Sequence, residues 1–127
     1  MPLDLGVLIS GRGSNLQAIL DATASGRLDA RVRLVISNRA GVQGLARAEA
    51  AGVPTCVVNH KDFATRQDFD AAMVDTLRKH DVSWVVLAGF MRIVTPVLLD
   101  AFPYRVVNIH PSLLPPFPGV NAQAAAL

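Results

Sequence analysis

The segment Leu5-Gly-Val-Leu-Ile-Ser-Gly-Arg-Gly-Ser-Asn-Leu-Gln17 decides the fold of this chain. It opens with an apolar run typical of a central parallel strand that is covered on both faces. Gly11 and Gly13 then provide a turn, and the spacing of Ser14 and Gln17 fits a capping box with Ser14 as N-cap. A buried strand, a glycine-containing turn and a helix together indicate the first unit of a parallel α/β sheet.

The rest of the chain repeats this alternation of strand and helix. We predict further strands over residues 32–36, 54–58, 84–87 and 106–110. Helices separate them, and two begin at clear signals: Thr65 with Asp68 three positions on, and Thr95 followed by Pro96. Five strands alternating with four helices predict one α/β domain over residues 1–127. We expect an open, doubly wound, Rossmann-like parallel sheet with strand order 3-2-1-4-5.

Composition places the chain among ordered globular proteins. It has 127 residues, of which 51% are hydrophobic and 17% charged. A net charge of +2 is too small to favour nucleic acid or a membrane surface as partner, but it suits a small anionic ligand. Cys56 lies in an apolar run, which predicts a buried free thiol and a reducing, cytoplasmic location. We expect no leader, because the N-terminus lacks a positively charged region, and no membrane span, because no apolar run is long enough.

The glycine loop, residues 11–15, has the features of an anion site. Backbone amides of Gly13, Ser14 and Asn15 at a helix N-terminus would point at a bound phosphate. A tight turn without a ligand explains the glycines equally well. The loop lacks the Gly-Lys-Ser/Thr of a Walker A motif. A dinucleotide fingerprint is disfavoured because Ser37-Asn38 stands where its acidic residue belongs.

Two other strand ends carry candidate chemistry. The apolar loop, residues 89–94, could form a slot for a flat ring, although core packing with a solvated Arg92 is the plainer interpretation of its side chains. Asn108 and His110 lie two apart, so on a strand they project to one face, just before a proline-rich loop. With strand order 3-2-1-4-5, all three segments converge on one crevice. No Cys/His/Asp cluster has metal-ligand spacing, so we expect no metal.

Three motifs carry a resemblance to a known family. Gly-Arg-Gly-Ser-Asn (11–15), Val-Leu-Ala-Gly-Phe-Met-Arg-Ile (86–93) and Asn-Ile-His-Pro-Ser-Leu-Leu-Pro (108–115) together resemble the folate-dependent phosphoribosylglycinamide formyltransferases. The resemblance covers essentially the whole chain. It implies a formyltransferase-type sheet and transfer of a formyl group from 10-formyltetrahydrofolate to the amine of glycinamide ribonucleotide, in de novo purine biosynthesis. It implies small-molecule partners, with no nucleic acid and no membrane.

The resemblance also implies roles for individual residues. The substrate phosphate and ribonucleotide would meet Gly13, Ser14, Asn15, Gly89 and Pro111. The folate would meet Arg66 at its anionic tail, and Met91, Arg92, Ile93, Val94 and Asn108 around the pterin. Asn108 and His110 would be catalytic. Both are suitable donors to the oxygen that becomes negative in the tetrahedral intermediate, and His110 can also move a proton near neutral pH.

One departure from the family pattern bears on activity. The family's third catalytic residue is an aspartate in a later segment, beyond Leu127, so we expect these 127 residues alone to be inactive or weakly active and the whole protein to be longer. Asn121 and Gln123 also stand where the family often has histidines. An unfinished sheet would expose an edge and permit a homodimer.

Two alternatives stay open. One is a formyltetrahydrofolate deformylase, disfavoured because Met1-Pro2 runs directly into the first strand, without the extra domain of that enzyme. The other is a non-catalytic nucleotide-binding module.

Overall fold

The structure is a computed structural model that describes residues 2–109. Its strands are β1 Leu3–Ile9, β2 Ala30–Ser37, β3 Thr55–Val57, β4 Trp84–Ala88 and β5 Val106–Ile109. Its α-helices are α1 Ser14–Ala24, α2 Gln43–Ala50, α3 Arg66–Lys79 and α4 Pro96–Ala101, and a short 3-10 turn spans His60–Asp62.

The five strands form one parallel sheet in the order β3-β2-β1-β4-β5, which confirms the predicted fold class and strand order. Strand β2 is longer than predicted, and β3 is shorter. Strand β5 is described up to Ile109, so the prediction that it reaches His110 lies outside the described residues.

Alternating side chains of the strands feed two separate cores. Val7 and Ile9 of β1 pack with α1 and α2 on one face of the sheet. Leu8, between them, packs with α3 and α4 on the other face. Successive strand residues point to opposite faces, so the buried part of β1, residues 5–9, contains no polar or charged side chain. Helices on both faces make the sheet doubly wound.

The helix starts bear out two sequence predictions and correct a third. Thr65 accepts a hydrogen bond from the Asp68 amide at 3.0 Å, and Thr95 caps α4 with Pro96 in its first turn. The predicted capping box at Ser14 is wrong, because Gly13 occupies the N-cap in a left-handed conformation and its carbonyl accepts from the Gln17 amide at 2.8 Å. The Gln17 side chain bonds Asp21 and Arg47 instead.

Two further observations concern single features. Cys56 is half-buried rather than buried, because it lies on the edge strand β3. None of the helices described between residues 2 and 109 combines the length and apolarity needed to cross a membrane.

Candidate functional site

The site lies at the carboxyl ends of β1, β4 and β5. The chain leaves β1 towards β2 on one side and later returns to β4 on the other, so the strand order reverses at β1. Crevices at such switch points are where open α/β sheets bind ligands. The glycine loop follows β1, the apolar loop follows β4, and Asn108 lies opposite Leu87 in β5. The predicted convergence of these segments therefore holds for the described residues.

The glycine loop is built by close packing against α2. Gly13 has a φ of +77°, and a β-carbon there would lie 2.6 Å from the Cα of Gly44. The Gly44 amide donates to the Gly11 carbonyl at 3.0 Å. The Arg47 Nε donates to the Arg12 carbonyl at 2.8 Å. These contacts fix the loop backbone while the amides that open α1 face outward from the helix, as an anion site requires. Ser14 is exposed and Asn15 is buried.

The apolar loop presents hydrophobic side chains to solvent. Met91 is 74% exposed and Ile93 68% exposed, whereas Val94 packs against the core. Phe90 stacks on Phe69 with ring centroids 6.4 Å apart, so the core-packing interpretation is correct for that residue. Two large apolar side chains this exposed within one loop make the loop a candidate binding surface.

Buried polar side chains hold the apolar loop at both ends. The Met91 amide donates to the Ser10 Oγ at 2.8 Å, which ties this loop to the end of β1. At the other end, the Thr95 amide and Thr95 Oγ1 donate to Asp70 Oδ2 at 2.6 and 2.7 Å. Ser10 and Asp70 were not identified from the sequence. Asp70 could have been, because it directly follows Phe69 on the buried stripe of α3.

Asp70 is an unusual buried carboxyl group. Its side chain is 0% exposed, and among the described residues its Oδ1 has no hydrogen-bond partner. Burial raises the pKa of Asp70, and the two bonds from Thr95 oppose that rise. The group is fully buried and bonded to Thr95 at the end of the apolar loop, so we assign it to positioning rather than to chemistry.

Two arginines converge beside the apolar loop. Arg66 from the first turn of α3 and the half-buried Arg92 line one cavity of about 130 Å³, together with Phe63, Phe69 and His60. Arg66 was named in the sequence analysis through the resemblance alone, as a contact of the folate tail, and Arg92 was left as a solvated charge in the plainer interpretation. Two guanidinium groups in one cavity suit carboxylate groups of a ligand.

Of the remaining predicted site residues, Asn108, His110 and Pro111, the structure describes Asn108. Asn108 is half-buried in that strand, next to β4. His110 and Pro111 lie outside the described residues. Within residues 2–109, no group of three or more His, Cys, Asp or Glu side chains is arranged to hold a metal ion.

This fold and site define a class of protein. The family model described as formyl transferase matches residues 4–127, and the chain belongs to that family. It is 44% identical over 123 residues to phosphoribosylglycinamide formyltransferase of Haemophilus influenzae, covering 97% of this chain and 58% of that protein. It is 48% identical over 123 residues to the trifunctional purine biosynthetic protein adenosine-3 of Homo sapiens, covering 97% of this chain and 12% of that protein.

Solved structures agree with this assignment. Glycinamide ribonucleotide transformylase 1 from Symbiobacterium toebii superposes with a TM-score of 0.85 at 50% identity, covering 98% of this chain and 59% of that one. The predicted resemblance and the formyltransferase-type sheet are therefore confirmed. The chain spans a little over half the length of these bacterial relatives and a small part of the trifunctional ones.

Proposed function

We propose that this chain binds glycinamide ribonucleotide and 10-formyltetrahydrofolate, and that it supplies the substrate-binding part of a cytoplasmic formyltransferase of de novo purine biosynthesis. The observation that carries the proposal is the Met91 amide bond to Ser10 Oγ, because it joins the apolar loop to the residue between β1 and the glycine loop. A flat ring on one loop and a phosphate on the other would then meet beside Asn108. The names of the relatives above support glycinamide ribonucleotide as a ligand and formyl transfer as the reaction.

The ribonucleotide phosphate would bind the amides of Gly13, Ser14 and Asn15. They open an 11-residue helix, whose dipole favours an anion at this end. In this proposal Gly89 and Pro111 line the same substrate. Gly89 has a φ of +72°, which lets the backbone turn sharply after β4.

The folate would occupy the apolar loop. Met91 and Ile93 provide exposed apolar surface for the pterin ring, and Val94 connects that surface to the core. Arg92, with Arg66 in the shared cavity, would bind carboxylates of the folate tail. Asn108 would touch the pterin side from the neighbouring strand.

The chemistry we propose is acyl transfer. The amine nitrogen of glycinamide ribonucleotide attacks the formyl carbon, and the bond from that carbon to the folate nitrogen then breaks. Asn108 and His110 donate hydrogen bonds to the oxygen that is negative in between. His110 carries the proton from the attacking amine to the leaving nitrogen. We propose that an aspartate outside these 127 residues completes the site.

Calorimetric titration of each ligand and of both together tests this function. We expect glycinamide ribonucleotide and a folate analogue to bind simultaneously. We expect formyl transfer by the 127-residue chain to be absent or slow. A deformylase would bind the folate and ignore the ribonucleotide. A nucleotide-binding module would ignore the folate. Turnover at the rate of a full-length relative would overturn the proposed need for a further aspartate.

Arg47→Ala is expected to weaken glycinamide ribonucleotide binding several-fold while leaving folate affinity unchanged. It removes the exposed hydrogen bond from Arg47 Nε to the Arg12 carbonyl and the bond to Gln17 Oε1, and the loss of such contacts costs about 1 kcal/mol. Calorimetry of each ligand measures the effect. Arg31→Ala is the matched control, since it removes an equal charge from an exposed residue that pairs with Asp4. Equal losses in both variants would mean that only net charge matters.

A further inference from the structure

A chain of three side chains runs from the apolar loop to the 3-10 turn. The Met91 amide donates to Ser10 Oγ at 2.8 Å. Ser10 Oγ donates to Asn38 Oδ1 at 2.6 Å. Asn38 Nδ2 lies 3.3 Å from His60 Nδ1. Ser10 and Asn38 are each 2% exposed, so their polar atoms depend on these partners.

The direction of each bond follows from the donors and acceptors that each group carries. A backbone N–H can only donate, so the Met91 amide requires Ser10 Oγ to accept. The buried Ser10 hydroxyl proton also needs an acceptor, and among the described residues Asn38 Oδ1 provides it at 2.6 Å. That fixes the amide of Asn38 with its Nδ2 towards the histidine. His60 Nδ1 must therefore accept a hydrogen bond, and the ring must be neutral with its proton on Nε2.

We infer that His60 is a positioning residue for the apolar loop, acting through Asn38 and Ser10, and only in its neutral Nε2–H form. A protonated ring carries N–H groups on both nitrogens and cannot accept from Asn38. The inference rests on the proposed function for the ligand of this loop. It adds that folate binding is coupled to the protonation of His60, which also lines the cavity of Arg66 and Arg92.

The ring of His60 is held from two sides. Asn59 Oδ1 accepts from the Lys61 amide at 3.0 Å, which fixes the 3-10 turn. Phe69 of α3 meets the imidazole edge-on, with centroids 6.2 Å apart. A rigidly placed ring can fix the Asn38 amide, whereas a freely rotating one could not.

The surroundings of His60 disfavour its protonated form. Arg92 from the apolar loop, Lys61 from the same turn and Arg39 from the end of β2 are all cationic, and Arg66 of α3 lines the same cavity. Partial burial first, and then Arg92, Lys61 and Arg39, lower the pKa of His60 from its ordinary value of 6.5, and a hydrogen bond to the Asn38 backbone opposes them more weakly. The folded chain therefore binds a proton at His60 less readily than the unfolded chain does. The neutral ring that accepts from Asn38 is present above the pKa of His60 in the unfolded chain. It is lost as pH falls through the lower pKa of His60 in the folded chain.

Nitrogen-detected NMR of the histidine side chains and hydrogen exchange of the Met91 amide test the inference without any ligand. We expect the Nε2–H tautomer for His60 at about pH 8. In His60→Asn the Oδ1 lies as many bonds from Cα as Nδ1 does, so it can accept from Asn38 without titrating. In His60→Gln the acceptor lies one bond further out. Met91 exchange in His60→Gln should be roughly fivefold faster than in His60→Asn.

Acidification provides the second comparison. At about pH 5, we expect the Met91 amide to exchange faster in the unsubstituted chain than in His60→Asn at the same pH. His80→Asn is the matched control, because His80 Nδ1 contacts the Thr76 carbonyl and lies outside this chain of bonds. An Nδ1–H tautomer, or equal Met91 exchange in the two His60 variants, would overturn the inference.

Titrations with a folate analogue, repeated at pH values between about 8 and about 5, test whether the chain of bonds affects folate affinity. Affinity should fall with acidification more steeply in the unsubstituted chain than in His60→Asn, and equal slopes would overturn the coupling. If no variant binds the folate at any pH, the proposed function fails. The tautomer and the Met91 exchange would still decide the positioning role.

Discussion

Replacing Gly13 by alanine is expected to lower the free energy of unfolding by about 3 kcal/mol and to weaken glycinamide ribonucleotide binding by about tenfold or more. Two costs add. A φ of +77° is unfavourable for any residue with a β-carbon, and that carbon would lie 2.6 Å from the Cα of Gly44. The backbone of α2 would have to move away, which carries the glycine loop with it. Urea unfolding and calorimetry measure the two effects.

Gly26→Ala separates the two costs. Gly26 has a nearly equal φ of +80°, but no described atom lies within 4 Å of a β-carbon built there. Only the conformational penalty applies, so we expect a loss of about 1 kcal/mol and unchanged ligand binding. If Gly13→Ala behaves like Gly26→Ala in both measurements, the packing of α2 against the glycine loop does not shape the site.

The fold was predictable because its signals are local. Continuous apolar runs mark strands buried on both faces. Cap residues such as Thr65 and Thr95 mark helix starts, and each accepts a hydrogen bond from an amide two or three residues further on. The glycine loop was recognisable as a turn, but its cap was assigned to the wrong residue. A hydroxyl at Ser14 suggested the cap, whereas the left-handed backbone of Gly13 decides it.

The interior of the site was not predictable, since it depends on contacts between distant residues. Ser10 and Asn38 are 28 positions apart and meet because β1 and β2 end side by side. In the sequence, Asn38 was noted only for standing where a dinucleotide-binding protein would have an acid. Its hydrogen bonds to Ser10 and His60 become visible only when three elements are assembled.

Asp70→Ala is expected to lower the free energy of unfolding by about 3 kcal/mol and to weaken folate binding. It leaves the Thr95 amide and hydroxyl without their buried acceptor, at the point where the apolar loop passes into α4. The Thr95 hydroxyl also accepts from the Val97 amide at 3.3 Å, so the start of that helix loosens as well. Asp75→Ala is the control, since it removes an exposed carboxylate from the same helix.

Asp70→Asn distinguishes the hydrogen bonds from the charge. An amide oxygen at the Oδ2 position keeps both bonds from Thr95, so the loss of stability should be smaller than in Asp70→Ala. Burial raises the pKa of Asp70 above its ordinary value of 3.8, so the folded chain holds this proton more tightly than the unfolded chain. The unsubstituted protein should therefore lose stability relative to Asp70→Asn as pH rises from 3.8 through the raised value. Urea unfolding of both proteins across that window measures the difference, and a difference independent of pH would show that burial does not perturb this carboxyl group.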